Sequence, residues 1–350
     1  MKILVTGATG RVGANLVLAL LDAGHDVRSF VYPGDASRAH KLDGFERVET
    51  VSGDLRSFDD VRAALRGVDA VYHIAAAFAA PFNHREYLDI NANGTLNLLE
   101  AIREELPGLH RFAYACTEAV YWDAPYRGRY FEEPITEEMT AEYCDMPYFM
   151  TKRIGEELTI CYQRQYGVPA CVFRFATIIE PSEFLDEGGR PYRFFLSDLY
   201  ERFREAEGKT AEEREMYDHI RSLWQGEEKL VVMLNPNGVP QKQPFADVRD
   251  IAGGLLLGLE REEAVGEIFN LGGAVLFDWG EAIPFLAERY GMEYVEAKVP
   301  TPNYFDLDLG KINRLLGFEP KHDLLSLVET AEALHRGEDA GVIPTGVRYG

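Results

Sequence analysis

The feature that most constrains the fold is a glycine-rich turn near the start of the chain. Residues 6–13 read TGATGRVG and directly follow a short apolar run, Lys2–Thr6. Glycines at positions 7, 10 and 13 permit a tight turn, a close approach of the backbone to a pyrophosphate, and close packing of a helix on the strand. The first turn of that helix presents unpaired N–H groups to an anion. Its place between a strand and a helix therefore predicts a dinucleotide-binding unit.

Short β-rich runs alternate with helical patterns through the first half of the chain. The predicted strands are Lys2–Thr6, Asp26–Val31, Val48–Val51, Ala70–Ile74, Arg111–Cys116, Ala170–Phe175 and, much later, Ile268–Leu271. The predicted helices are Gly13–Ala23, Ser57–Leu65, Asn93–Glu105, Tyr148–Tyr166 and Val248–Glu260. Because strands joined by helices form right-handed βαβ units, the pattern predicts an α/β fold of the Rossmann type, with a doubly wound parallel sheet.

The same pattern divides the chain into a larger and a smaller part. We predict a dinucleotide-binding Rossmann core in residues 1–176, which carries the catalytic residues, and a smaller, mainly substrate-binding region in residues 177–336. Core elements return at 245–273, and 337–350 is expected to be a loosely held tail. Residues 182–228 interrupt the rhythm and read as a helical insertion, which is either solvated or a lid over a substrate site.

The acidic balance of the chain limits the classes of partner. The sequence has 36 Lys and Arg against 58 Asp and Glu, a formal net charge of −22. Such a surface repels phosphate backbones and anionic lipids, so we expect neither a nucleic-acid nor a membrane partner. No run approaches the roughly 18 apolar residues that span a bilayer. Because a helix N-terminus can still bind a small anion, the expected partner is a small-molecule substrate.

The cysteines and histidines give no sign of a metal site or of disulfides. Four cysteines, at positions 116, 144, 161 and 171, form no Cys-x-x-Cys pair, and the eight histidines are scattered. We therefore expect free thiols in a reducing cytoplasm and no protein metal site. The first residues run directly into the glycine turn, so no signal peptide is expected.

The end of the second predicted strand bears on the choice between NAD and NADP. NAD sites place a carboxylate there on the ribose hydroxyls, but this chain has Val31 and Tyr32, and its first acid is Asp35. Four basic residues are candidates for this region: Arg11, Arg28, Arg38 and Lys41. An arginine can pair with a 2′-phosphate, unless these bases only decorate a surface loop. Either cofactor fits, with a slight preference for NADP.

A tyrosine and a lysine form the candidate catalytic pair. Tyr148 and Lys152 stand at i and i+4 of a predicted helix, which places them on one face, about 6 Å apart along its axis. Such a pair is common on helices by chance. Thr117, however, ends a predicted strand and so places a hydroxyl at the carboxyl edge of the sheet, where ligand sites in open α/β sheets lie.

These three side chains can support proton transfer at a substrate hydroxyl, beside hydride transfer at the carbon that bears it. The positive charges of Lys152 and an oxidised nicotinamide favour the phenolate form of Tyr148. Tyr148 could then exchange a proton with a substrate hydroxyl while the cofactor takes hydride from the same carbon. Thr117 would hydrogen-bond the developing carbonyl oxygen and hold it in line.

Further motifs follow in order along nearly the whole chain. They are Gly53–Leu55, His73–Ala76, Asn91–Thr95, Cys116–Tyr121, Phe245–Ile251, Phe269–Gly273 and Leu315–Pro320. With the glycine turn and the Tyr-x-x-x-Lys pair, they resemble the extended short-chain dehydrogenase/reductase family, in its NAD(P)-dependent sugar epimerase/dehydratase group. Several ordered motifs together are far more specific than any one of them.

The resemblance implies a role for each matching residue. Tyr148 would be the acid/base, Lys152 its activator and a ribose ligand, and Thr117 the group that positions the carbonyl. The implied cofactor contacts are Gly7, Thr9, Gly10, Arg11, Val12, Tyr32, Arg38, Asp54, Leu55, Ala75, Ala76, Tyr148 and Lys152. Asp54 has an alternative role as a turn residue after a strand. Phe78 and Glu118 are the candidate substrate contacts.

The sequence also departs from the family pattern. The 4,6-dehydratases of the family follow the active-site threonine with Asp-Glu, whereas this chain has Glu118 and Ala119, which argues against that elimination. Arg174 is followed by Phe175 instead of proline, which puts the local backbone contact to nicotinamide in doubt. Phe78 stands where sugar epimerases often carry a polar substrate ligand, and the 182–228 insertion replaces nucleotide-sugar landmarks. The substrate is therefore expected to be sugar-like but not necessarily a nucleotide sugar.

Three functions remain open from the sequence. Transient oxidation and re-reduction would make an epimerase, which family prevalence slightly favours, and net hydride transfer would make a dehydrogenase or reductase of a small carbonyl or hydroxy compound. A non-catalytic dinucleotide sensor is the third. The resemblance also predicts a homodimer through a four-helix bundle of Asn93–Glu105 and Tyr148–Tyr166, although the apolar residues of these helices could equally pack within one subunit.

Overall fold

Parallel strands at the centre of the molecule form its main sheet. The computed structural model describes residues 1–78, 82–122, 131–141, 144, 146–203, 210–300 and 303–345. Its strands are β1 (Lys2–Thr6), β2 (Asp26–Val31), β3 (Val48–Ser52), β4 (Ala70–His73), β5 (Arg111–Thr117), β6 (Ala170–Phe175), β7 (Thr177–Ile179), β8 (Leu230–Leu234), β9 (Lys242–Asp247), β10 (Ile268–Leu271), β11 (Val275–Asp278) and β12 (Tyr294–Lys298).

Helices cover the sheets and connect their strands. They are α1 (Arg11–Asp22), α2 (Phe58–Leu65), α3 (His84–Tyr87), α4 (Gly94–Glu105), α5 (Pro147–Tyr166), α6 (Leu196–Arg202), α7 (Ala211–Leu223), α8 (Val248–Glu260), α9 (Trp279–Tyr290), α10 (Gly310–Leu316) and α11 (Leu324–His335). A π-helical turn, Leu88–Asn93, joins α3 to α4. In the described part of the chain, no helix is both long and apolar enough to cross a membrane.

The main sheet has the order β3-β2-β1-β4-β5-β6-β10, and every pair in it is parallel. Its central strands are apolar and buried along their length, as parallel strands covered on both faces must be. The strand order reverses between β1 and β4, which opens a crevice at their carboxyl ends. The predicted doubly wound Rossmann sheet is confirmed, and the seven predicted strands match observed strands to within one residue at either end.

A smaller lobe carries a second hydrophobic core. It contains the three-stranded sheet β11-β9-β7 and the parallel pair β12-β8. Its core joins residues of the insertion, among them Phe184, Phe194 and Leu199, to Trp279 and Leu286 of α9. The insertion is therefore not simply solvated, because several of its apolar side chains help to build this core.

The end of the chain also differs from the expectation. Val342 and Ile343 are buried against the main core, and the backbone of Ile343 bonds to Asn15 of α1. Residues 342 and 343 of the predicted tail are thus packed into the fold. Residues 346–350, which complete the predicted tail, lie outside the described part of the chain.

Candidate active site

The glycine turn joins β1 to α1 and has no room for a side chain at positions 7 and 13. Gly7 has a left-handed φ of 70°, and a Cβ on it would lie 2.8 Å from the backbone N of Ala75. A Cβ on Gly13 would overlap the carbonyl oxygen of Gly7. Gly10 N donates to Gly7 O at 3.0 Å, and Gly10 is the N-cap of α1. The bare backbone before a helix N-terminus fits the pyrophosphate of a dinucleotide.

The remaining predicted residues of the turn have separate positions. Thr9 and Val12 are buried. The Arg11 guanidinium forms an ion pair with Glu183 at 2.7 Å and donates to the carbonyl of Ile178 at 3.4 Å. Glu183 is 1% exposed and is also held by Arg193, at 3.0 Å. Arg11 therefore ties the glycine turn to the start of the insertion, a contact that the sequence did not reveal.

The four bases behind the NADP preference are all engaged within the chain. Arg28 is turned into the fold, where it pairs with Glu49 at 3.1 Å and donates to two carbonyl oxygens at 2.7 Å. Arg38 lies 3.7 Å from Asp35, and Lys41 donates to the carbonyl of Thr345 at 2.8 Å. With Arg11 held by Glu183, these bonds give the preference for NADP no support.

The predicted adenosine contacts lie around the loop after β3. Tyr32 is half exposed, with the Arg56 guanidinium 5.8 Å from its ring centroid. Asp54 forms an ion pair with Arg56 at 2.5 Å, which holds the pKa of the Asp54 carboxyl below its usual value. Leu55 is buried, and its carbonyl accepts from Asn97 at 2.8 Å. The Asp54 carboxylate also accepts from Arg56 N at 2.9 Å, as a turn residue does, and its contact with adenosine stays a prediction.

Helix α5 places the candidate catalytic pair, Tyr148 and Lys152, at the carboxyl edge of the sheet. Thr117 is the last residue of β5, Tyr148 lies in the first turn of α5, and Lys152 follows one turn later. The Tyr114 hydroxyl on β5 donates to the carbonyl of Lys152 at 3.1 Å. Gly155 allows this approach, because a Cβ there would overlap the Tyr114 hydroxyl. The predicted Tyr-x-x-x-Lys helix therefore packs directly on the strand that ends in Thr117.

Lys152 is a buried cation. It is 2% exposed, and its Nζ lies 4.3 Å from the centroid of the Tyr114 ring. Burial lowers the pKa of Lys152 from 10.5 to about 8, and the nearby Cys116 and Glu156 partly oppose this change. At neutral pH the ammonium is therefore mostly charged, at a cost in folding free energy.

Replacing Lys152 with methionine is expected to stabilise the folded protein at pH 7, because the buried charge is removed. The change in pKa from 10.5 to about 8 corresponds to at most about 3 kcal/mol. This penalty is present in full below the folded pKa and disappears as the pH rises from about 8 to 10.5, so the gain should shrink over that window. Urea unfolding at pH 7 and pH 10 measures it. Lys298→Met, at an exposed position of β12, is the control. A less stable Lys152→Met protein at pH 7 would contradict the interpretation.

Beneath the site, His73 links the glycine-turn strand to α4. Its Nδ1 lies 2.8 Å from the Thr6 hydroxyl, and its Nε2 lies 3.0 Å from the Thr95 hydroxyl. Thr95 donates its own proton to the carbonyl of Asn91, so His73 Nε2 must donate to Thr95 and Nδ1 must accept from Thr6. Burial and the charge of Lys152 lower the pKa of His73 well below its ordinary value. A neutral ring with one donor and one acceptor is what these partners require.

Asn91, in the π-helical turn, clamps the segment after β4 to α5. Its amide nitrogen donates to the carbonyl of Ala77 at 3.1 Å and to the Thr151 hydroxyl at 3.0 Å, and its oxygen accepts from Ala77 N at 2.7 Å. Thr151 in turn donates to the carbonyl of Tyr148 at 3.0 Å. The predicted cofactor residues Ala75 and Ala76 are therefore held at a fixed distance from the helix of Tyr148.

A second buried network fixes α5 from its other side. Arg174 on β6 donates to both oxygens of Glu156, at 2.9 and 2.5 Å, and to the Tyr121 hydroxyl at 2.9 Å. Tyr121 donates to Asn270 on β10 at 2.5 Å. Arg174 keeps the arginine of the family's Arg-Pro motif, although the proline is replaced by Phe175. By holding Glu156, it positions α5, in which Lys152 lies one turn before Glu156.

The two candidate substrate residues lie beside the catalytic ones. The Phe78 ring is half exposed and lies 4.7 Å, centroid to centroid, from the ring of Tyr148. Glu118 is buried next to Thr117, and one of its carboxylate oxygens accepts from the Thr177 hydroxyl at 2.9 Å. Phe78 thus offers an apolar ring beside Tyr148, and Glu118 offers a carboxylate beside Thr117.

Some of the supporting residues could have been found from the sequence and others could not. Glu156 follows Lys152 by four residues, so helical spacing already placed it on the same face. Asn91 stands in a quoted motif, but its bond to Thr151 depends on packing across 60 residues. The pairing of Arg11 with Glu183 joins residues 172 positions apart in the sequence, and no local pattern marks it.

Comparison with known proteins identifies the family. The model of the NAD dependent epimerase/dehydratase family matches residues 3–272. The chain belongs to this epimerase/dehydratase family. An uncharacterized UDP-glucose epimerase, YtcB, from Bacillus subtilis (strain 168) is 25% identical over 97% of this chain and 100% of its own length.

Two further proteins to which the chain is similar carry other descriptions. A short-chain dehydrogenase/reductase superfamily protein from Agrobacterium tumefaciens, crystallised with bound NAD, superposes with a TM-score of 0.79. It is 30% identical and matches 96% of this chain and 97% of its own. A 3-beta-hydroxysteroid dehydrogenase from Mycolicibacterium neoaurum is 31% identical, over only 49% of this chain and 46% of its own length. Membership in the NAD dependent epimerase/dehydratase family therefore does not by itself identify the substrate.

Proposed function

We propose that the protein is an epimerase-type enzyme that oxidises and re-reduces an alcohol carbon of a sugar or sugar-like substrate, with Tyr148 as acid/base. The observation that carries this proposal is the buried ammonium of Lys152, one turn below Tyr148 and at the same sheet edge as the glycine turn. A buried charge at a folding cost is expected where it serves chemistry. Bound NAD would supply the hydride acceptor.

In this proposal, each residue of the site has a separate role in the reaction. Tyr148 takes the proton of the substrate hydroxyl and returns it after re-reduction. The positive charge of Lys152 and the N-terminal end of α5 both favour the phenolate. Thr117 donates a hydrogen bond to the substrate oxygen as a carbonyl develops. The bonds of Asn91 to Ala77 and Thr151 keep the cofactor-facing segment in line with Tyr148.

We also propose NAD as the cofactor, with the contacts predicted for the glycine turn, Asp54, Leu55, Ala75 and Ala76. Arg28 and Lys41 are already bonded to groups of the chain, which leaves them poorly placed for a 2′-phosphate. The relative from Agrobacterium tumefaciens also carries bound NAD. Water elimination of the 4,6-dehydratase kind is not expected, because position 119 is alanine.

A net dehydrogenase of a non-nucleotide hydroxy compound is the second candidate. The half-exposed Phe78 ring beside Tyr148 suits an apolar substrate surface, and one relative is a hydroxysteroid dehydrogenase. Retention of the cofactor separates the two candidates, because an epimerase must re-reduce its intermediate before NADH leaves.

The test uses purified protein and a panel of nucleotide sugars, free sugars and hydroxysteroids. Absorbance and mass of the copurifying nucleotide are measured first, and absorbance at 340 nm is followed with each compound. Tightly retained NAD, substrate isomerisation and no net NADH would support the epimerase. Stoichiometric NADH release would support the dehydrogenase instead. No reaction with any compound despite NAD binding would favour the non-catalytic sensor.

We further propose that two copies associate through α4 and α5. Within one subunit these helices are joined by the Tyr162 hydroxyl and Glu100, while Glu104, Glu157 and Cys161 lie exposed on the outside. Sedimentation at micromolar concentration is expected to give a dimer, and Cys161→Arg, which places a bulky charge on that face, is expected to shift it toward monomer. A wild-type monomer under these conditions would contradict the proposal.

The organisation into two functional parts is likewise a proposal. The main core and the smaller lobe each have their own cluster of buried side chains, which supports a cofactor-binding part and a substrate-binding part. If residues 182–228 act as a lid, substrate is expected to slow the exchange of their amide hydrogens. Hydrogen exchange with and without substrate measures this.

A further inference from the structure

The described end of the chain returns to the glycine turn. After α11, residues 341–345, which we name the C-terminal strap, run back to the main core, where Val342 and Ile343 are 7% and 9% exposed. The strap lies far from α5 in sequence and takes no part in the proton chemistry above. Its contacts instead surround the start of α1.

Asn15 fixes the strap to α1. The side-chain amide of Asn15 donates to the carbonyl of Ile343 at 3.3 Å, and its oxygen accepts from Ile343 N at 2.9 Å. The same amide donates to the carbonyl of Arg11 at 3.0 Å, one turn earlier. Asn15 is 4% exposed, so this two-way bond is shielded from water. The strap is thereby held beside the first turns of the helix whose N-terminus faces the predicted pyrophosphate.

Thr345 bridges the two flanks of the glycine turn. Its carbonyl accepts from Lys41 Nζ at 2.8 Å, and its amide donates to the Glu180 carboxylate at 3.2 Å. Lys41 lies in the 3₁₀ segment that follows β2, the strand whose end faces the adenosine ribose in dinucleotide-binding folds. Glu180 follows β7 directly, next to the segment whose Ile178 carbonyl accepts from Arg11.

The buried carboxylate of Glu180 is stabilised by the hydrogen-bond donors around it. It is fully buried and accepts from Ser182 N at 2.9 Å, from the Ser182 hydroxyl, from Thr345 N at 3.2 Å and from the Thr345 hydroxyl at 3.4 Å. Burial raises the pKa of the Glu180 carboxyl, which these hydrogen bonds oppose. Release of Thr345 would remove two of these four donors from a buried carboxylate, so the docked position of the strap is favoured.

We propose that the C-terminal strap is a wall of the dinucleotide site, which holds a bound NAD at the glycine turn until Thr345 releases Lys41 and Glu180. The proposal rests on the proposed function, since it assumes that NAD binds at this turn. It explains how the cofactor would be retained between oxidation and re-reduction, which an epimerase requires. A strap that only completes the core would leave NAD exchange unaffected.

The first test measures how fast NAD leaves. The double variant Lys41→Met/Thr345→Pro removes the ammonium donor of Lys41 and both the amide and the hydroxyl donor of Thr345. Lys298→Met in β12 is the charge-matched control. Each protein is loaded with NAD and mixed with excess competing NADH, whose fluorescence reports exchange. Because three hydrogen bonds are lost, we expect exchange to be about tenfold faster or more in the double variant, and unchanged in the control. NAD is used instead of NADP so that Lys41 has no phosphate to bind.

The second test measures the protection of the strap's own amide hydrogens and does not depend on turnover. Hydrogen exchange at the amides of Ile343 and Thr345 is followed in the wild-type protein with and without NAD. We expect NAD to slow exchange at both amides. A chain ending at Gly341 serves as a further variant, with unfolding measured alongside so that loss of structure is recognised.

The outcomes separate the strap from the proposed function. NAD binding with equal exchange rates in wild type and double variant, and no protection of the strap amides, would overturn the strap proposal alone. Absence of NAD binding to the wild type would overturn the proposed function, and with it the assumption on which the strap rests.

Discussion

Replacing Tyr148 with phenylalanine is expected to lower turnover by roughly 10²–10⁴-fold while NAD still binds, because general acid–base catalysis of that size is lost. The change removes one oxygen from a half-buried ring in the first turn of α5, and the ring contact with Phe78 can remain. The measurement is the rate of isomerisation or of NADH formation with whichever compound of the panel reacts. Tight NAD binding in the same preparation shows that the site is intact.

Tyr166→Phe is the matched control for this variant. Tyr166 lies at the other end of α5 with its ring 48% exposed, so loss of its hydroxyl is expected to leave turnover unchanged. Equal turnover of Tyr148→Phe and wild type would remove Tyr148 from the mechanism. Loss of both turnover and NAD binding would show that Tyr148 acts mainly in binding.

Replacing Gly13 with alanine is expected to abolish NAD binding and to lower the free energy of unfolding by about 1–3 kcal/mol or more. A Cβ at this position would overlap the carbonyl oxygen of Gly7, so either the turn or α1 must shift. Since the same backbone is predicted to hold the pyrophosphate, even a small shift removes the site. Urea unfolding and NAD titration measure the two effects separately.

Gly253→Ala provides the control for an added methyl group. Gly253 lies inside α8, and a Cβ there would meet nothing within 4 Å. Alanine in a helix interior is expected to stabilise by about 0.5–1 kcal/mol relative to glycine. If Gly13→Ala binds NAD as tightly as Gly253→Ala, the glycine turn is not the pyrophosphate site.

The main sheet could be predicted because its strands are buried on both faces. β1, β4, β5 and β6 therefore read as nearly continuous apolar runs between helical patterns, and their order follows from the rules for parallel sheets. The smaller lobe was not predicted in detail. β7 has only three residues, and β8 pairs with β12 about 60 residues later in sequence, so no local pattern marks either partner.

The helical spacing of the candidate pair could be predicted from the sequence, whereas the surroundings of the pair could not. Tyr148 and Lys152 are local to one helix, but the burial of Lys152 depends on Tyr114 of β5 beneath it. The NADP hypothesis treated Arg28 as a free base, although its side chain reaches Glu49 across the sheet. The strap was missed because Asn15 and Ile343 are 328 residues apart and only the fold brings them together.

The most direct test of the account is calorimetric titration of the wild-type protein, first freed of bound nucleotide, with NAD⁺ and separately with NADP⁺. The account predicts one NAD⁺ site per chain, tighter binding of NAD⁺ than of NADP⁺, and loss of the signal in Gly13→Ala. If neither nucleotide gives a heat of binding, and the protein in the same sample is shown to be folded, the account is contradicted.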